Sequence, residues 1–125
     1  MSDRARRSSN DAPPAPGPDV QGLAPLVGRW RSEGHLVGNP PVRITGTDIY
    51  EWLSGGFFLV HHVDVTIGGQ AVRAIEIIGE RDSVSGSLIG RAYDNQGNMT
   101  ILHATVDERG VWTFTGGGDV APVAR

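Results

Sequence analysis

Four histidines and the carboxylates near them are the side chains of this sequence that could do acid–base or metal chemistry. His61 and His62 are adjacent, and adjacent side chains leave a strand from opposite faces, so the two cannot bind one metal ion together. His62 and Asp64 share a face at a spacing of two residues, as do Glu33 and His35. Each pair could belong to a metal or general-base site, although solvated pairs on a strand surface are more common.

His61 differs from the other histidines because its neighbours at alternate positions are Phe57, Leu59, Val63 and Val65. Alternation therefore predicts that its ring lies inside the fold, where a neutral imidazole needs a hydrogen-bond partner. Two interpretations stay open. The commoner is a core histidine satisfied by its neighbours, and the other is a polar contact in an otherwise apolar ligand pocket.

Glu76 and Arg91 each lie in an otherwise apolar strand segment. They could form an internal ion pair that binds a polar head group, but outward positions in solvent are favoured for both.

Composition removes several classes of mechanism. The 125 residues include no cysteine, and all 11 basic residues are arginine, which excludes thiol nucleophiles, disulfides and Schiff-base lysines. No glycine pair is followed by the Lys-Ser/Thr of a phosphate loop, and no serine lies in a Gly-x-Ser-x-Gly elbow. A net charge of -3 argues against a nucleic-acid partner, and no apolar segment is long enough for an export signal or a membrane span. A cytoplasmic protein is expected.

The elements that must position these residues begin with a change in composition near residue 19. Residues 1–18 hold four of the eight prolines among polar residues, which predicts a disordered tail. Asp19 is expected to cap a short helical turn that serves as a plug or lid, because Val20, Leu23, Leu26 and Val27 follow it at helical spacing.

Beyond this turn the apolar period becomes two, and turns that contain glycine or proline recur. The predicted strands are 29–37, 42–53, 57–67, 71–80, 87–93, 99–107 and 111–115. Short turns make each strand pair with its predecessor, so an all-β, antiparallel up-and-down barrel is predicted for residues 19–115, with a two-sheet sandwich as the alternative. Residues 116–125 are expected to form a flexible, glycine-rich tail.

Phe58 and Val60 lie on the face of the third predicted strand that is opposite His61. An apolar outward face is usually covered by another part of the protein or by a partner, which here could be the helical turn, the tail or a second subunit. A homodimer through this face, or through an open sheet edge, is therefore a candidate assembly.

The segment Leu26-Val27-Gly28-Arg29-Trp30 places a Gly-x-Trp at the start of the first strand, after the helical turn. This motif resembles the opening signature of the calycin superfamily, the lipocalins and fatty-acid-binding proteins, in which the tryptophan closes one end of a barrel. With LVGRWRSEG at 26–34, YEWLSGGFFL at 50–59 and YDN at 93–95, the chain resembles an uncharacterised bacterial family of lipocalin-like domains of unknown function. The resemblance covers about residues 23–114 and implies a calycin-like barrel, but no established substrate or catalytic residue.

The same opening pattern is similar to the start of nitrobindin-like barrels, which bind haem through a histidine near the C-terminus. The last histidine here is His103, and residues 106–125 contain no His, Cys, Met or Tyr, so no haem is expected. Barrels of both families close with further strands after the positions of Trp112 and Phe114. Either an open barrel or a fragment of a longer chain is therefore expected.

The preferred function is non-catalytic binding of a small apolar or amphipathic ligand inside the barrel, lined by His61, Trp52, Leu59, Val63 and Tyr50. One alternative is a barrel filled by side chains that acts through self-association. The other is a hydrolase- or isomerase-like enzyme that uses a barrel histidine as general base. No catalytic residue, metal or cofactor is assigned, and neither nucleic acid nor a membrane is expected as a partner.

Overall fold

The computed structural model describes residues 14–116 and the backbone of a short strand farther along the chain. An α-helix, α1 (Pro18–Gln21), and a 3-10 turn (Ala24–Leu26) precede the strands. The strands are β1 (Gly28–Leu36), β2 (Val42–Trp52), β3 (Leu59–Ile67), β4 (Gln70–Arg81), β5 (Leu88–Asp94), β6 (Met99–Val106), β7 (Trp112–Gly116) and β8 (Val123–Ala124).

The strands form a single sheet in which each strand pairs antiparallel with the next, from β1 to β8. This order confirms the predicted all-β, up-and-down topology, since short turns leave each strand next to its predecessor. The sheet curls into an open half-barrel. Within the described residues β1 and β8 are its two edges and do not pair with each other, so the sheet is neither a closed barrel nor a two-sheet sandwich.

Most strand boundaries lie within one residue of their predicted positions. The exception is β3, which begins at Leu59 because the preceding residues close the hairpin: the Leu53 amide donates to the Phe58 carbonyl at 2.9 Å. At the C-terminal end, Gly116 ends β7 and the β8 backbone pairs with β7, where the sequence predicts a flexible tail. The rest of that predicted tail, and residues 1–13 of the N-terminal one, lie outside the described residues.

Two glycines allow the sheet to curl. Gly46 in β2 has a φ of 156°, and a Cβ there would lie 2.3 Å from the Asp64 carbonyl oxygen of β3. Gly79 in β4 has a φ of 152° and lies at a bulge in the pairing of β4 with β5. Glycine alone avoids strain in such backbone, and a bulge increases the local bend of the strand.

The concave face of the sheet carries the apolar core, and the segment 18–26 covers one end of it. We call this segment the plug. Of the four apolar residues at helical spacing, Val20, Leu23 and Leu26 are buried, whereas Val27 follows the 3-10 turn and is 41% exposed. The buried core consists of Val20, Leu23, Leu26, Tyr50, Leu59, Ile78, Leu88, Ala104, Trp112 and Phe114.

Two tryptophans fix the plug through their indole N–H groups. Trp30 in β1 donates to the Leu26 carbonyl at 2.7 Å, and Trp112 in β7 donates to the Gly22 carbonyl at 3.3 Å. Because β1 and β7 lie near opposite edges of the sheet, the plug ties the two sides of the half-barrel together.

Asp19 does not cap α1 as predicted. The helix begins one residue earlier, at Pro18, and its N-cap is Gly17, which makes no side-chain capping bond. The Asp19 carboxylate instead accepts hydrogen bonds from the Val20 amide and from Arg81 of β4, both at 2.9 Å. Its role is to attach the plug to the sheet.

The convex face carries both charged and apolar side chains. Val60 of β3 is half-buried there, and Phe58, just before the strand, is 37% exposed. The plug packs on the concave face, so it does not cover this surface. In the described part of the chain no helix is long and apolar enough to cross a membrane.

Candidate functional site

The most unusual group of side chains lies in the middle of the concave face, around His61 of β3. In the sheet register His61 is directly opposite Tyr50 of β2 and Glu76 of β4, and Asp48 precedes Tyr50 by two residues. Opposite residues in an antiparallel sheet share a face, so all four side chains point into the half-barrel. Asp48, His61 and Glu76 form what we call the carboxylate–histidine cluster.

Both ring nitrogens of His61 contact a carboxylate. The Nδ1 atom lies 2.8 Å from Oε1 of Glu76, and Nε2 lies 2.6 Å from Oδ1 of Asp48. Ionised carboxylates are acceptors only, so this geometry suits an imidazolium that donates through both nitrogens. The second oxygen of Asp48 accepts a hydrogen bond from the Ser32 hydroxyl of β1. Four neighbouring strands therefore contribute to one buried polar network.

Tyr50 supports the histidine ring from one side. The two rings are stacked, with centroids 4.0 Å apart and an angle of 11° between their planes. A protonated ring over an aromatic face gains a cation–π attraction, which is stronger where water is excluded. Tyr50 and the three members of the cluster are all buried.

The pKa of His61 reflects two opposing effects. Burial by itself lowers the pKa, because it disfavours the charged ring. The hydrogen bonds that His61 donates to Asp48 and Glu76, and the negative charges of both carboxylates, outweigh burial and raise the pKa above its ordinary value of 6.5. The ring therefore keeps its proton to a higher pH than a free histidine.

Glu76 carries an oxygen that the protein leaves without a partner. The residue is 4% exposed, and Oε2 is buried with no hydrogen-bond partner among the described residues. Such an acceptor costs about 1–3 kcal/mol in a folded protein. Gly90 of β5 makes room for it, since a Cβ at this position would lie 2.6 Å from Oε2.

The five residues that the sequence predicts as ligand contacts all lie on the concave face, by the register of β2 and β3. They differ in burial. Leu59 and Tyr50 are buried in the core and His61 belongs to the cluster, whereas Val63 and Trp52 are half-buried. In this conformation only the last two offer much surface to a ligand.

Glu76 is a correction to the sequence analysis, which favours an outward position for it. Both faces of β4 are rich in apolar residues, so alternation there does not show which face is buried. Arg91 is outward as predicted, but its partner is Glu80, at 2.9 Å. Inside the half-barrel, Glu76 is therefore paired with His61 and not with Arg91.

Asp48 and Ser32 are not among the site residues predicted from the sequence. A signal for Asp48 was present, because alternation along β2 places it between Gly46 and Tyr50 on the face that becomes concave. No comparable signal marks Ser32. Its contact with Asp48 depends on the register of β1 on β2, in which Ser32 faces Gly46.

The members of the two same-face pairs do not contact each other, and their surface positions fit the favoured interpretation of solvated pairs. His62 contacts Glu51 at 2.7 Å, and Asp64 pairs with Arg73 at 3.4 Å. Glu33 pairs with Arg31 at 3.3 Å. In the residues that the structure describes, no group of three or more His, Asp or Glu side chains is placed to hold a metal ion.

Comparisons with known proteins do not assign this chain to a family. A scan against models of protein families finds no match to this chain, and a search of curated proteins finds none either. The antiparallel half-barrel is compatible with a calycin-like fold.

Proposed function

We propose that the half-barrel binds a small amphipathic molecule on its concave face, and that the carboxylate–histidine cluster recognises a head group that donates a hydrogen bond. One observation carries the proposal: the buried Oε2 atom of Glu76 has no partner among the described residues. A native fold rarely leaves a buried carboxylate oxygen unsatisfied unless it has a use. A ligand N–H or O–H group that reaches it, after a small shift of the side chain, removes this cost.

The apolar part of the ligand has a surface beside the cluster. Val63, Ala74, Ala92 and Leu102 share the concave face and are half-buried. Two of the four are alanines, so this part of the sheet is shallow. Lipocalin-like domains, which the chain resembles at 26–34 and 50–59, share a barrel architecture that can enclose ligands.

Charge selects the head group. As a carboxylate, Glu76 presents Oε2 as a buried, negatively charged acceptor that receives no hydrogen bond from the described residues. A buried charge is stabilised by an opposite charge nearby. An ammonium or amidinium head group is therefore preferred over a neutral alcohol, and a carboxylate is disfavoured.

The geometry favours binding over acid–base catalysis. A general base needs a nitrogen lone pair that faces the substrate. Both nitrogens of His61 already face protein carboxylates, at 2.6 and 2.8 Å. An anchoring role fits this arrangement better.

Calorimetric titration with three probes that share one alkyl chain tests the proposal: dodecylammonium and dodecanoate below their micelle concentrations, and dodecanol below its solubility limit. We expect dodecylammonium to bind most tightly. Glu76→Gln should weaken its binding about tenfold or more, because a hydrogen bond to a charged group contributes about 1.5–3 kcal/mol. Glu80→Gln is the matched control, since Glu80 lies on the same strand and pairs with Arg91 on the convex face.

A second variant tests the same site if Glu76→Gln does not fold. Ala92→Leu adds bulk next to the cluster without removing a polar group, and it should weaken all three probes. Absence of dodecylammonium binding would contradict the proposal, and so would binding that neither variant changes. Tighter binding of dodecanoate that Ala92→Leu weakens would show that the charge argument is wrong.

A further inference from the structure

A groove lies on the convex side of the β1–β2 hairpin, at the edge of the sheet. Its volume is about 650 Å³. The outward side chains of both strands surround it: Arg29, Arg31, Glu33, Arg43, Thr45 and Thr47. The carboxylate–histidine cluster lies on the opposite face, so this groove is a separate feature.

The arginines of the groove differ from those elsewhere in the described chain. Seven arginines lie in residues 14–116, and five of them pair with a carboxylate: Arg31, Arg73, Arg81, Arg91 and Arg109. The two without an ion pair in this part of the chain are Arg29 and Arg43, and both line the groove. Free guanidinium groups are thus concentrated at one place.

The balance of charge in the groove is positive although the chain as a whole is negative. Three arginines face one carboxylate, that of Glu33, while the whole chain has a net charge of -3. The nearest acid on the adjacent strand is Asp64, which is opposite Thr47 and is paired with Arg73. It therefore does little to neutralise Arg29 and Arg43.

We propose that this groove is a binding site for a small molecule with two or more anionic groups, phosphate or carboxylate. Guanidinium groups bind such oxyanions through two parallel hydrogen bonds. The half-buried hydroxyls of Thr45 and Thr47 lie between the arginines and can donate to the same oxygens. Arg31 adds a third guanidinium when it turns away from Glu33.

The positions of the two free arginines favour an elongated anion. Arg43 is opposite His35, six residues along β1 from Arg29. At about 3.3 Å per residue, the two backbone positions are roughly 20 Å apart, a distance that long side chains reduce but do not close. A chain of anionic groups therefore spans the two arginines more readily than a single phosphate does.

Calorimetric titration of the full chain with tripolyphosphate and with orthophosphate tests the proposal. We expect tripolyphosphate to bind at least about tenfold more tightly. Arg29→Gln and Arg43→Gln should each weaken its binding about tenfold, whereas Arg109→Gln, which removes the same charge on the β6–β7 turn, should leave it unchanged. Glu33→Gln should strengthen binding, a gain that misfolding cannot produce.

Several results would overturn the proposal. One is the absence of tripolyphosphate binding at millimolar concentration. Another is an equal effect of Arg109→Gln, which would indicate a non-specific attraction between the anion and the charge of the protein. If the arginines serve only to prevent pairing at the edge strand, Arg29→Gln and Arg43→Gln will promote aggregation and leave anion affinity unchanged.

Two further titrations distinguish a small soluble anion from phosphate groups on a lipid surface or along a polymer. Phosphatidylglycerol vesicles present phosphate on a surface, and a short single-stranded oligonucleotide presents it along a polymer. We expect free tripolyphosphate to bind in the absence of either. Binding to vesicles alone, or to the oligonucleotide alone, would overturn the assignment to a small soluble molecule.

Discussion

At the scale of single residues, the cluster shows how a charged histidine is kept in an apolar interior. Two carboxylates and a tyrosine face surround the ring of His61, and the Ser32 hydroxyl supports Asp48 from the next strand. Removing one carboxylate would leave a buried charge without its partner, which is costly. The cluster is therefore a unit whose members depend on one another.

The raised pKa of His61 predicts how stability depends on pH. The folded state holds this proton more tightly than the unfolded state, whose value is near 6.5. The stabilisation is thus complete below that pH and is lost as the pH rises through the folded-state pKa. We expect the free energy of unfolding in urea to fall as the pH is raised above about 6.5.

The control for this experiment is the variant His61→Gln, which should reduce that slope. His35→Gln changes an exposed histidine on the convex face of β1 and should leave the slope as it is. A stability that rises over this range, or an identical slope in His61→Gln, would show that His61 does not carry the linkage.

At the scale of elements, the plug is too short to be stable alone. A four-residue helix and a three-residue turn are far below the length at which isolated helices persist. Their stability comes from docking on the core, through Leu23 and through the indole bonds from Trp30 and Trp112.

Truncation of Leu23 should therefore destabilise the whole domain. Leu23 is 0% exposed, and replacing a buried leucine by alanine costs about 2–5 kcal/mol. Urea unfolding monitored by tryptophan fluorescence measures this, because two of the three tryptophans contact the plug.

Val27→Ala is the comparison for Leu23→Ala. Val27 follows the plug and is 41% exposed, so its truncation should cost about 0.5 kcal/mol or less. Equal stability of Leu23→Ala and the unaltered protein would mean that the plug is not docked in solution.

At the scale of the whole molecule, the open sheet leaves β1 without a neighbour on its outer side within the described residues. An edge of nine residues is a template for pairing with another chain. The β1–β2 edge carries three arginines and one glutamate, so two copies of this edge repel each other through their net positive charge.

We expect salt to promote dimerisation through β1. Raising the salt concentration from about 0.1 M to about 1 M shortens the screening length from about 10 Å to about 3 Å and weakens this repulsion. Sedimentation equilibrium should therefore show a larger dimer fraction at high salt.

Phe58→Ser separates the two candidate interfaces. It should leave a dimer formed through β1 intact, whereas it should dissociate a dimer formed through the face that includes Phe58 and Val60. A chain that stays monomeric at every salt concentration would contradict both forms of self-association.

The sequence by itself determined the local features of this protein. Period-two alternation and glycine turns placed seven strands in the right order, and helical spacing identified a turn in which Val20, Leu23 and Leu26 are buried but Val27 is exposed. These signals are local, since each depends only on residues a few positions apart. The same alternation placed His61 on the buried face.

Only the tertiary structure decided what surrounds His61. Asp48, His61 and Glu76 are 13 and 15 residues apart in sequence, and they meet because three strands pair in a particular register. A shift of one residue would turn each side chain to the other face. The open sheet and the groove with Arg29 and Arg43 likewise follow from how strands curl and pair, which no short segment specifies.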